Sequence, residues 1–186
     1  MKNIDRWVIG ASISFAANRK AACIFVRVSK DTVLDKTLLP WLGTQLKSLK
    51  IDAKRICIQV TEDLADQYVR QTKELAEALR KLGFRFALEH FGTGRDPLKL
   101  LADIDMDFIK VDGSLMQGLS TNQLQQQRVK GLVEAAKRRS IETIAERVED
   151  ANTMAVLWQL GIEFIQGYFV NTPEDVTMSG DKHRRA

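Results

Sequence analysis

A chain of 186 residues that is 45% hydrophobic and 28% charged can bury one sizeable core, and nothing in its composition points to disorder. The formal net charge of +4 is owed in part to the last six residues, DKHRRA, so it permits an anionic small ligand but does not argue for a nucleic-acid surface. No apolar run reaches the ~20 residues of a membrane helix, and MKNIDRWVIG lacks a secretory core and cleavage signal, so the expected setting is cytoplasmic with no membrane partner.

Residues 4–20 carry apolar side chains at Ile4, Trp7, Val8, Ala11 and Phe15, which predicts a helix packed on that face. A strand is expected over 21–29, a helix interrupted near Pro40 over 37–50, and a second strand over 55–62. Helical periodicity then runs from 64 to 83, where Gly83 offers a left-handed cap. RFALEHFG (85–92) and DFIKVDG (107–113) read as strands joined by a glycine turn and a short amphipathic segment. A helix over 123–140 ends in Lys137, Arg138 and Arg139, which suits the negative end of its dipole. A strand over 142–148, a helix over 150–161 between an Asp150 cap and Gly161, and a strand over 164–170 follow. After Pro173 the pattern fades, so residues 1–176 read as one domain and 177–186 as a polar, basic, mobile tail.

The tally is about six strands, all near-continuous apolar runs, alternating with helices. That is an α/β fold with a helix-covered parallel sheet. A closed eight-stranded barrel takes about 250 residues, so this TIM-barrel-like pattern is incomplete by about two strands.

Polar side chains recur where these strands end: Arg27 and Ser29; Gln59, Thr61 and Glu62; Glu89 and His90; Lys110 and Asp112; Glu146 and Arg147; Gln166. Unpaired charges set in apolar runs are costly, which predicts one shared polar site at the carboxyl ends of the strands. Cys23 and Cys57 sit in apolar runs without CxxC spacing and read as buried free thiols. His90 and His183 are too few for a histidine-rich zinc site.

The ordered segments FGTG, IKVDGSLM, IAERVED and QGYFV, with Pro173 beyond them, resemble the motifs DDFGTG, KIDxSF, AEGVE and QGY of the EAL domain family, the phosphodiesterases and receptors of the bacterial second messenger cyclic di-GMP. The resemblance covers nearly the whole chain. It leaves the family's first two strands, one of which bears the Glu-Ala-Leu signature, without a counterpart. Within the family the C-terminal third is similar to the FimX-type regulators of type IV pili, whose EAL domains bind the dinucleotide and dock a PilZ-class adaptor.

The resemblance implies a carboxylate-and-asparagine site for magnesium or manganese, and here that site departs from the pattern. Arg27 stands at the asparagine, Gln59 at a glutamate, and Glu89 and His90 at the aspartate pair. Only Lys110 and Glu146 survive unchanged among the groups that activate water and stabilise charge. The expectation is therefore a degenerate domain with no catalytic residues beyond the remnants Glu89, Lys110 and Glu146, no metal and no other cofactor. It would be a receptor for cyclic di-GMP, with ligand contacts from Arg27, Glu89, Lys110, Glu146, Gln166 and Pro173. Arg27 could clamp a phosphate or pair with Glu89 or Glu62; Lys110 could meet a phosphate or neutralise Glu146; Gln166 and Pro173 could face the ligand or only shape a turn. A protein partner, a homodimer, a scaffold without nucleotide, and a weak manganese enzyme built on Glu62, Glu89 and Glu146 are the other outcomes weighed. FGTG is implied to be a regulatory and dimer-forming loop.

Overall fold

The computed structural model describes residues 1–19, 22–49, 51–168 and 170. Strands β1 (Ile24–Arg27), β2 (Ile56–Thr61), β3 (Arg85–Phe91), β4 (Phe108–Val111), β5 (Glu142–Ala145) and β6 (Phe164–Ile165) form one parallel sheet in sequential order. The helices among the described residues are α1 (Lys2–Asn18), α2 (Lys30–Val33), α3 (Leu38–Leu49), α4 (Glu62–Gln67), α5 (Val69–Lys81), α6 (Pro97–Asp103), α7 (Gln123–Lys137) and α8 (Ala151–Leu160). Strands paired in chain order and joined by helical crossovers wind as an α/β barrel does, and six of them make an incomplete barrel. The architecture is the one the sequence predicts.

Burial explains why the strands are apolar throughout. The helices cover one face of the sheet with a core that includes Ile58, Phe86, Leu88 and Ile109, all fully buried. The opposite, inner face carries a smaller cluster of Cys57, Ala87, Phe108 and Ile144, against which Cys23 and Phe25 pack. The rings of Phe25, Phe108 and Phe164 meet edge to face at 5.2 and 6.5 Å along it. Both cysteines are free, as expected, although Cys23 is only half-buried; burial raises both thiols above their ordinary value.

The structure corrects several local expectations. α1 does not bury Ile4 and Trp7, which are 59% and 71% exposed; it turns Asp5, Ile9, Ile13 and Ala16 inward instead. The reason is Asp5, whose Oδ2 accepts hydrogen bonds from Ser29 N–H, Ser29 Oγ and Thr32 Oγ1 and so fixes the helix rotation. Pro40 does not interrupt α3, because it lies in the first turn where the missing N–H has no helical partner. The run 64–83 is two helices, broken at Tyr68 (φ −130°), whose ring sits under Lys30 Nζ at 4.9 Å. Strands expected to reach residues 29, 148 and 170 end at Arg27, Ala145 and Ile165. Gly83 and Gly161 do adopt left-handed conformations beyond α5 and α8, and Asp150 caps α8 through Thr153 N–H. Pro173 and the tail 177–186 lie outside the described residues.

Candidate functional site

The carboxyl ends of β1 to β5 bring one chain of polar contacts together. From β1, Arg27 Nε forms an ion pair with Glu89 Oε1 of β3. The other carboxylate oxygen, Glu89 Oε2, accepts a hydrogen bond from Gln59 Nε2 of β2 at 2.7 Å. Arg27 Nη2 lies 3.1 Å from His90 Nε2, and His90 Nδ1 lies 3.0 Å from Asp112 Oδ2 and 3.2 Å from Glu146 Oε2. Of the two pairings considered for Arg27, the structure has Glu89; Glu62 is used elsewhere.

A backbone irregularity makes this cluster possible. Strand alternation would send Glu89 and His90 to opposite faces, but β3 shifts register between Leu88 and Phe91, and His90 takes a left-handed conformation (φ 54°). Both side chains consequently reach Arg27. The contacts also assign the imidazole: Nδ1 faces two carboxylates and donates, while Nε2 accepts from the guanidinium, which is the neutral tautomer.

Lys110 and Gln166 form a second group. Lys110 Nζ donates to Gln166 Oε1 at 3.3 Å and stands 4.3 Å above the Phe25 ring; it attracts Glu146 across the site without a direct contact among the described ion pairs, so both sequence alternatives stay open. Gln166 is fixed by its backbone, with its N–H donating to Ala145 O and its carbonyl accepting from Val148 N–H. The neighbouring Gly167 has to be glycine, since a Cβ there would sit 2.2 Å from Val148 O. These groups open onto a cleft of about 400 Å³ along the inner face, lined by Phe25, Arg85, Phe108, Lys110, Ile144 and Gln166 among others.

The structure gives four of the polar strand ends roles that sequence reading does not assign. Asp112 was seen only as a polar strand end, yet it orients His90. Glu62 is not a ligand candidate: its Oε2 accepts from the N–H groups of Gly92, Thr93 and Gly94 at 3.0, 3.0 and 2.8 Å and ties down the FGTG loop. Ser29 and Thr61 are likewise structural, bound to Asp5 and to Leu64 N–H.

Burial sets the charge balance of the site. It lowers Lys110 below the ordinary lysine value, against the attraction of Glu146 and Glu89. It raises Glu146, although His90 and Lys110 pull the other way, and raises Glu62 despite the three N–H donors. Asp112 behaves oppositely: burial pushes it up, but hydrogen bonds from Ser114 and His90 outweigh burial and hold it below its ordinary value. A buried acid with a raised pKa binds its proton more tightly folded than unfolded, so stability falls as pH climbs from about 4.5 to the folded value. Asp112 contributes the reverse slope, losing stability as pH drops below 3.8. Glu146→Gln is therefore expected to lose less stability than the wild type between pH 4.5 and 7; equal changes in the urea midpoint would remove Glu146 from that slope.

His90, Asp112 and Glu146 are also the described group whose donor atoms, all within 4.8 Å of one another, could surround a cation. The fit is poor. To ligate through Nδ1, His90 would have to move its hydrogen to Nε2, where it would face the Arg27 N–H. At Gln59 and Glu89 the available carboxylate is already neutralised by Arg27.

Comparison with known proteins identifies the fold. The family model for the EAL domain matches residues 1–173. The FimX EAL domain from Pseudomonas aeruginosa bound to c-di-GMP superimposes with a TM-score of 0.87 at 36% identity, covering 91% of this chain and 69% of that one. The Xanthomonas citri FimX EAL domain in complex with c-diGMP gives 0.85 at 26% identity, over 91% of this chain and 68% of that one. Among curated proteins, the cyclic di-GMP phosphodiesterase PdeB of Shewanella oneidensis is 30% identical over 152 residues, 82% of this chain and 18% of that protein. PdeF of Escherichia coli, also a cyclic di-GMP phosphodiesterase, is 28% identical over 176 residues, 92% of this chain and 24% of that protein. The chain thus spans about a fifth of the length of these curated relatives.

Proposed function

The chain belongs to the EAL domain family, and from that premise we propose that it is a cyclic di-GMP receptor that lacks phosphodiesterase activity. The observation that carries this reading is the Arg27–Glu89–Gln59 contact, which puts a permanent cation and a neutral amide around the carboxylate at the head of the site. A divalent ion that would lower the pKa of bound water needs free anionic oxygens; Glu89 gives its own to Arg27 and Gln59, and only Asp112 and Glu146, on either side of His90, remain. A phosphate needs the opposite. The Arg27 side chain is 58% exposed, so its outer edge can meet one, with Lys110 and Gln166 as neighbouring partners; Pro173 stays a further candidate contact on the sequence resemblance alone. Glu89 and Glu146 then act by positioning, Glu89 on Arg27 and Glu146 beside His90. Two FimX EAL domains solved with c-di-GMP support the choice of ligand.

Calorimetric titration with cyclic di-GMP, with and without manganese, followed by chromatography for the linear product, tests this directly. Heat without product is expected in both buffers. Accumulating linear product would make the protein an enzyme, and neither heat nor product would leave a docking scaffold.

A docking role has its own support. β1 is an edge strand among the described residues, and the alternation that directs Val28 N–H to Gln59 O turns the backbone groups of Phe25 and Arg27 away from β2. We therefore extend the proposal to a protein partner, with a PilZ-class adaptor or a second copy of the chain as the candidates.

A further inference from the structure

At the end of the sheet away from the polar cluster the strands begin and α5, α7 and α8 finish. Cations gather at this end. α7 closes on Lys137, Arg138 and Arg139 follow, and all three side chains are exposed. Exposed Arg80 and Lys81 end α5, and exposed Lys54 lies in the short turn that leads into β2. Contacts hold these stretches side by side: Arg80 pairs with Asp105 at 3.8 Å, and Glu142 N–H donates to Asp107 O. Ser140 takes a left-handed conformation (φ 57°) directly after Arg139; its N–H donates to Lys137 O, and that of Ile141 to Ala136 O. The α7 cations therefore stand on a hydrogen-bonded turn.

Helix dipoles account for part of this charge, since a cation in a last turn is favourable. Lys54 and Arg139 lie outside the α-helices, so the dipole does not account for them. The acids of the same end are mostly committed to the fold. Asp52 accepts from Lys54 N–H, Asp107 from Phe86 N–H and Glu163 from Thr143 N–H. Lys54, Lys81, Lys137, Arg138 and Arg139 make no ion pair among the described residues. Spread over separate elements, they suit an extended anionic surface. Two aromatic side chains lie at the same end: Trp158 in the last turn of α8, 50% exposed, and Phe164 at the start of β6, 48% exposed. Half-exposed rings beside basic residues match the headgroup layer of a bilayer, where the rings sit at headgroup level and the cations meet lipid phosphates. A nucleic acid would take a helix laid in a groove or rings stacked on bases, whereas α5, α7 and α8 meet this face end-on.

We propose that the end of the sheet where the strands begin is a peripheral docking face for anionic lipid bilayers. No helix among the described residues is long and apolar enough to cross a membrane, so the contact lies on the surface. The polar cluster is at the other end of the strands and stays open to solvent. Co-sedimentation with vesicles of phosphatidylcholine alone, and of phosphatidylcholine and phosphatidylglycerol in equal parts, tests this at about 0.15 M and about 1 M salt. The wild type is expected to bind the anionic vesicles at the lower salt, to leave them at the higher, and to ignore the neutral ones. Replacing Lys137, Arg138 and Arg139 together, by glutamate or by glutamine, should weaken that binding tenfold or more. The glutamine set keeps the test valid if charge reversal loosens the end of α7. Trp158→Ala should weaken binding too, and the blue shift of tryptophan emission on the vesicles should shrink with it. The basic residues 182–185 are present in every sample, so binding that survives both triple substitutions belongs elsewhere and overturns the proposal. Equal binding to neutral and anionic vesicles also overturns it, as does capture of duplex DNA, sensitive to the same substitutions, without capture of vesicles.

Discussion

Arg27→Ala is expected to cost about 2–3 kcal/mol of stability and to lower cyclic di-GMP affinity by about tenfold to a hundredfold. The stability term comes from Glu89, whose side chain is 2% exposed and would keep only Gln59 Nε2 as a partner. Removing one member of a buried pair leaves a charge that neither water nor the remaining amide fully solvates. The cost falls below that of a fully buried pair because Arg27 is itself half in solvent and Gln59 stays. The affinity term is separate, and a second substitution isolates it. Arg27→Ala with Glu89→Gln should recover most of the stability, since no buried charge is then orphaned, yet none of the affinity. Urea unfolding and calorimetry read the two terms independently. An alanine variant that binds as the wild type does would take Arg27 out of the ligand site altogether.

Glu62→Ala should be at least as damaging to the fold, by about 3 kcal/mol or more. One oxygen of this nearly buried carboxylate holds three successive backbone N–H groups, those of Gly92, Thr93 and Gly94, and alanine leaves all three without their partner. Gly92 is additionally fixed through its carbonyl, which accepts from Arg128 Nη2 at 2.6 Å, so the loop would keep only side-chain tethers, this one, Thr93 Oγ1 to His90 O and Arg95 to Asp66. His90 lies two residues upstream, and its orientation depends on the same turn. The variant is expected to show faster hydrogen exchange at the amides of residues 92–94 together with a lower urea midpoint, and Glu62→Gln should lie between it and the wild type. Unchanged exchange in the loop would mean that the glutamate is not its anchor.

The legible part of this molecule was the part governed by local rules. Apolar runs located the strands, Gly83 and Gly161 marked helix ends through their left-handed backbones, and Asp150 announced itself as a cap. Of the polar strand ends, Arg27, Gln59, Glu89, His90, Asp112 and Glu146 make one chain of contacts, whereas Ser29, Thr61 and Glu62 serve the fold. The hidden features are those in which a residue answers to a distant one. Nothing around Asp5 in the chain says that Ser29 and Thr32 will hold it, yet that contact sets which stripe of α1 is buried. Glu62 and the loop it binds are thirty residues apart. The pairing of Arg27 with Glu89 remained one of two alternatives because sequence carries no distance. His90 was obscured for another reason: alternation along a strand is a strong rule, and the left-handed residue that breaks it is a histidine, whereas the usual signal would be glycine.

The sheet's strand order has a further consequence for how the molecule is made. Among the described residues each strand hydrogen-bonds to its neighbours in chain order, so a ribosome delivers each of β2 to β6 to a partner that has already emerged. The tethers to be closed are single crossovers, and the cost of closing them stays low at each step of synthesis. Among the described residues assembly can therefore proceed vectorially along the sheet, each strand docking on the one before it.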